Sequence, residues 1–282
     1  MGLSPHIDAL ADRVVRFAQC TCQSPSCSPS RASFWISKYP NRLEPWAYNK
    51  DQESIHKSIP FVRQFRDAGY QTVQLGKFDH LEFASEFDLC EYGLGPGATL
   101  RPWAVMPEDV EEADYDILRL PHVNRAVGGK NPYPPDQTIC HTMAERAERF
   151  FAREAQGPFF LRLSIDCPHM PFLPLPEFFG TVDRDKIDLP FPNEVEMATK
   201  PQREIHHIRR FYNFDRLPRA QLEYFRGSFY DFCAELDAAI GRTLASLKLH
   251  DFDDNTIVCL HTDHGLTLGE HGVGTIRMFY ER

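Results

Sequence analysis

Hydrophobic residues along this chain follow two spacings, and the places where one gives way to the other outline its elements. Over residues 138–155 apolar side chains recur at Ile139, Met143, Ala147, Phe150 and Phe151, the rhythm of an amphipathic helix, and Gly157-Pro158 breaks it. Over residues 219–249, Phe225, Phe229, Phe232, Leu236, Ile240 and Leu247 form one stripe, which predicts a long helix packed on a sheet. Shorter helices are predicted over residues 7–17 and 59–68, the second closed by Gly69. Three short runs read as strands: 70–75 (YQTVQL), 159–165 (FFLRLSI) and 256–261 (TIVCLH), the last two apolar enough to be buried. Residues 91–137, with many Gly and Pro, and the polar stretch 180–217 show no period and read as loops.

Strand and helix in this alternation predict an α/β protein with a largely parallel sheet flanked by helices. In such sheets ligands bind beyond the carboxyl ends of the strands. The residues at those ends are Gly76-Lys77-Phe78-Asp79-His80, Asp166-Cys167-Pro168-His169 and Thr262-Asp263-His264-Gly265, so each strand delivers charged or imidazole groups to one edge.

Composition narrows the partners. The formal charge of -9 argues against general binding to nucleic acid, although a basic pocket can sit inside an acidic protein. No run approaches the roughly 18 apolar residues of a membrane span. The opening residues lack the basic-then-apolar layout of a secretory signal, and the compartment stays open. Eight cysteines without a CxxC pair suggest neither a disulfide scaffold nor a structural zinc site. Cys140, Cys233 and Cys259 fall in apolar segments and are expected to be buried.

The run Cys27-Ser28-Pro29-Ser30-Arg31 carries the most specific chemistry. Alone it reads more readily as a thiol near a loop, with Pro29 setting a turn and Ser30 capping the following helix. Its context, CQSPSCSPSRASF, resembles the signature of the type I sulfatases, and further segments follow that family in order: Tyr39-Pro40, AGYQTVQLGKFDH, PFFLRLSIDCPHMPF and NTIVCLHTDHGLTLGEHG. The resemblance implies an alkaline-phosphatase-like fold and a hydrolase of sulfate esters, carried by small molecules or saccharides. It implies that a maturation enzyme oxidises Cys27 to formylglycine, whose hydrated form attacks sulfur. Arg31 would then hold the formylglycine, Lys77 would bind sulfate oxygens, His80 would assist proton removal and His169 would protonate the leaving alcohol. Asp263 and His264, together with the residue at position 27, would bind a divalent metal, calcium by family habit. Each residue singly has a plainer reading as a solvated or turn residue. Their shared place after predicted strands favours the joint one.

Departures from the pattern shape three further expectations. The family has two adjacent aspartates on a strand ahead of the signature, and only Asp8 and Asp12 precede Cys27 here. Trp35-Ile36-Ser37 stands where the signature continues as Leu-Thr-Gly, and Ile276-Arg277 where a lysine follows the GEHG turn. Residues 1–282 are therefore expected to be part of one sulfatase catalytic domain lacking the first strand and a C-terminal subdomain, with a weakened metal site and poor activity. The alternatives are a phosphonate or phosphate monoester hydrolase of the same superfamily, or an inactive remnant.

Overall fold

The computed structural model describes residues 2–43, 55, 57–91, 111–120, 125–189, 194–203, 205–206 and 214–274. Strand β1 (Gln71–Gly76) is the centre of a three-stranded parallel sheet, with β2 (Leu89–Glu91) on one side and β5 (Phe159–Ser164) on the other. A separate antiparallel pair joins β3 (Leu118–Leu120) to β4 (Arg125–Gly128) inside the region read as a loop. The helices are α1 (Pro5–Ala11), α2 (Cys27–Ile36), α3 (Val62–Asp67), α4 (Ile139–Arg149), α5 (Glu194–Thr199) and α6 (Arg219–Leu249). No helix among the described residues is long and apolar enough to cross a membrane.

The pleat separates the two sheet faces. Val73 and Leu75 of β1 pack with Phe159, Leu161 and Leu163 of β5 and with Ala147, Phe150 and Phe151 beyond them. On the opposite face of β5, Phe160 joins Ala32, Trp35 and Ile36 of α2 and Phe78, Phe83 and Phe87. Toward the carboxyl ends that face turns polar: Arg162 donates to the buried Gln74 side chain at 2.9 Å and stacks on Trp35, and Ser164 faces α2.

Several expectations are corrected. Residues 256–261 form no strand: no described strand pairs with them, Ile257 is 93% exposed and Cys259 is exposed, while Val258 packs against the cluster of Val73 and Leu75. The first helix ends at Ala11, and Val14, Val15 and Phe17 beyond it lie exposed. The 59–68 helix shortens to Val62–Asp67. The stripe of α6 packs mainly along α4 and against β4 rather than on the parallel sheet, where only Leu247 reaches the cluster of Val73 and Leu75.

The reason lies in the buried polar residues of α6. Asp231 is fully buried and accepts from the Gly180 and Val182 amides; Glu235 accepts from the Leu175 amide and Asp237 from those of His6 and Ile7. These carboxylates tie α6 to loops and to the start of α1. Between them Phe225 is fully buried, its ring 4.9 Å from Phe172 and 4.8 Å from Phe214. Phe225→Ala is expected to cost about 3–5 kcal/mol in denaturant unfolding. Leu249→Ala, at a site 76% exposed, should stay within about 0.5 kcal/mol of the parent.

Candidate active site

Helix α2 begins at Cys27 itself, with Ser26 as the extended residue before it. The thiol therefore sits at a helix amino terminus, where the free N–H groups favour negative charge. The Ser30 hydroxyl does not cap this helix. It lies in the first turn and donates to the Asp263 carbonyl.

Four segments meet at Cys27, which is 3% exposed. His264 places Nε2 3.1 Å from the sulfur, and its Nδ1–H donates to the Gly265 carbonyl at 2.8 Å, which turns Nε2 toward the site. Lys77 holds Nζ 3.7 Å from the sulfur and 2.8 Å from Asp166 Oδ1. The ring of His169 hydrogen-bonds the thiol and bonds the Met170 carbonyl through Nδ1 at 2.8 Å. The strands set this meeting. Gly76 of β1 is in register with Ser164 of β5, and the Lys77 amide donates to the Ser164 carbonyl at 2.9 Å, so the residues after both strands emerge side by side. Gly76 has φ +88°, and a Cβ there would stand 2.2 Å from that carbonyl oxygen, so only glycine fits.

Arg31 and His80 stand beside the thiol rather than against it. Arg31 is buried and donates through Nε to Asp263 at 2.7 Å and through Nη1 to Ser164 Oγ at 2.9 Å, with Asp79 3.4 Å away. His80 is 1% exposed; its Nε2–H donates to the Ser28 carbonyl at 2.9 Å, and Nδ1 lies 3.0 Å from Glu82. Both ring nitrogens are occupied, so His80 anchors the first turn of α2 instead of facing Cys27. Ile276 and Arg277 lie outside the described residues. Asp79 and Asp166 went without a role in the sequence reading. Their position directly after strands was the available signal, but an ion pair leaves no periodicity to read.

These groups perturb one another. Burial raises the Cys27 thiol, but hydrogen bonds from His169 and His264 and the charge of Lys77 outweigh it and bring the pKa to about 6. Burial works against the His264 imidazolium, and the bond to Cys27 and the Asp263 charge push its pKa up. Lys77 is also opposed by burial and is raised by Asp166, Cys27 and Asp79. Asp263 is lowered, because Arg31, His264 and Lys77 outweigh its own burial.

The donors can be tested against a metal ion. Cys27 Sγ, an Asp263 oxygen and a His264 nitrogen lie within 4.8 Å of one another, close enough to share one divalent ion. Only one of the three is a carboxylate, whereas calcium takes six to eight oxygens and thiolate with imidazole suits a softer ion. Among the described residues the set fits a divalent ion but does not by itself fill a calcium shell.

Comparison with known proteins places this geometry. A family model described as Sulfatase matches residues 1–278. Human iduronate 2-sulfatase is 24% identical over 301 aligned residues, which cover 95% of this chain and 52% of that protein. The chain spans about half the length of the curated relatives it matches. Among solved structures, the phosphonate monoester hydrolase of Agrobacterium radiobacter superposes with a TM-score of 0.77 at 16% identity, covering 99% of this chain and 61% of that one. BT4656, in complex with its substrate D-glucosamine-2-N, 6-O-disulfate, superposes at 0.66 with 17% identity, covering 99% and 64%. These likenesses establish the alkaline-phosphatase-like fold.

The thiol makes its own prediction. Alkylation of unconverted Cys27 by iodoacetamide, followed by peptide mass spectrometry, should rise with pH around a midpoint near 6, since the thiolate reacts and is lost below that value. His264→Ala removes a hydrogen bond and a positive charge and should move the midpoint upward.

Proposed function

The chain belongs to the sulfatase family, and on that footing we propose that the site at Cys27 hydrolyses sulfate monoesters. One observation carries the reading: a lowered thiol at a helix amino terminus meets a lysine, two imidazoles and a carboxylate at the carboxyl edge of a parallel sheet. Residues 1–282 are read as part of one catalytic domain. Formylglycine, made from Cys27 by a maturation enzyme, supplies a hydrated aldehyde as nucleophile at the first residue of α2.

The chain's own residues do the rest. Lys77 Nζ provides a point charge for the sulfate oxygens beside position 27. His169, fixed through its Nδ1, protonates the departing alkoxide oxygen. Asp263 and His264, with residue 27, would hold a divalent ion, for which calcium is the family's choice, and such an ion would supply Lewis-acid polarisation of the ester. Arg31 and His80 are positioning residues: Arg31 fixes Asp263 and the strand ends, and His80 fixes the first turn of α2. The relatives and solved neighbours include an iduronate sulfatase and a protein bound to a disulfated glucosamine, which supports a saccharide or small-molecule sulfate as substrate. A phosphonate monoester is the second reading, raised by the Agrobacterium neighbour.

Turnover of an aryl sulfate by protein whose Cys27 conversion has been verified by mass spectrometry tests the proposal. Activity is expected to vanish in Cys27→Ala and to fall on chelation, and a fully converted, metal-loaded protein without turnover would refute it. His169→Ala should slow alkyl sulfates by roughly a hundred- to ten-thousand-fold, because a poor leaving group needs its proton. Nitrophenyl sulfate, whose leaving group needs no proton, should lose far less.

A further inference from the structure

Lys77 sets an ammonium 3.7 Å from the Cys27 sulfur, and it does not face the site with its full charge. Asp166 holds the ammonium at 2.8 Å, and both side chains are largely out of water, 11% and 6% exposed. The pair is screened little at that depth. Arg31 nearby is likewise paired, with Asp263 and Asp79. An anion bound by Lys77 within reach of residue 27 shares that ammonium with the Asp166 carboxylate. Its attraction to Lys77 and its repulsion from Asp166 both scale with its charge, so the Asp166 carboxylate takes twice as much binding from a dianion as from a monoanion.

We propose that Asp166 is a specificity-determining residue that tunes the Lys77 subsite to esters carrying one negative charge, sulfate and phosphonate monoesters, and against the dianion of a phosphate monoester. The proposal rests on the reading of Lys77 as the anion subsite. Asp166 acts here through its carboxylate charge, so the amide, which keeps the shape and an oxygen for the Lys77 hydrogen bond, separates charge from structure.

The experiment measures binding in the Cys27→Ala background, where no turnover interferes, by calorimetry above pH about 7.5, where phenyl phosphate is a dianion. Phenyl sulfate, monophenyl methylphosphonate and phenyl phosphate are compared in one buffer. Asp166→Asn is expected to tighten phenyl phosphate roughly tenfold more than phenyl sulfate, with the phosphonate ester following the sulfate despite its phosphorus. Asp166→Glu should keep the parent order. Equal shifts for all three ligands, or none, overturn the proposal. If Lys77→Ala weakens all three while Asp166→Asn leaves their ratio unchanged, the anion subsite stands and this inference alone falls. If Lys77→Ala changes nothing, both fall. Should Asp166→Asn fail to fold by circular dichroism, the parent order decides, and tighter binding of phenyl phosphate than of phenyl sulfate there overturns the proposal.

Discussion

A single buried guanidinium holds the site together. Arg31 reaches from the first turns of α2 to Asp263, to Ser164 at the end of β5 and, at 3.4 Å, to the Lys77 carbonyl just past β1. Burial opposes its charge, and Asp263 and Asp79 more than restore it. Removing one partner from such a pair typically costs about 3–5 kcal/mol, because the other charge is left stranded. The same contacts fix the amino terminus of α2 over the sheet edge. Cys27 is the first residue of that helix, so its place depends on a side chain four residues away that does not touch it.

The sheet's polar face supplies the floor beneath Arg31. Gln74, Arg162 and Ser164 all point to that side. Arg162 is a second, half-buried cation, its pKa brought down to about 9 by desolvation and by the neighbouring Arg31. It is accommodated by stacking, with its guanidinium carbon 5.0 Å from the Trp35 ring centre and 5.7 Å from that of Phe34. Two like charges under one helix are tolerated because carboxylates stand around one and aromatic faces cover the other. Phe34 also stacks on His261, which brings the unpaired 256–261 segment against α2 just before Asp263.

Periodic burial was legible in the sequence, and pairing was not. Strands β1 and β5 and helix α6 announce themselves because their apolar residues repeat at two or at three-to-four positions. The same signal misleads at 256–261, where the apolar run is real but no described strand offers it a ladder, and at α6, where Asp231, Glu235 and Asp237 decide what the helix packs on. Cys27, Lys77 and His264 could be named from a motif and its order. Asp79 and Asp166 could not be given roles, since a carboxylate becomes a partner only when two strand ends lie side by side.

That last dependence explains why the site belongs to the sheet rather than to its loops. Parallel neighbours in register end together, and the residue after each strand inherits that alignment. Here Gly76 opposite Ser164 sets Lys77 and Asp166 within 2.8 Å of each other before any substrate or ion is considered. The loop that carries Asp166 and His169 is then held further along by α6, through Glu235 on the Leu175 amide and Asp231 on those of Gly180 and Val182. Anchored at both ends, His169 and the lysine's counter-ion keep fixed positions against a thiol fixed by Arg31. Geometry of this kind lowers the cost of reorganisation when charge moves, which is the condition for electrostatic catalysis in a preformed site.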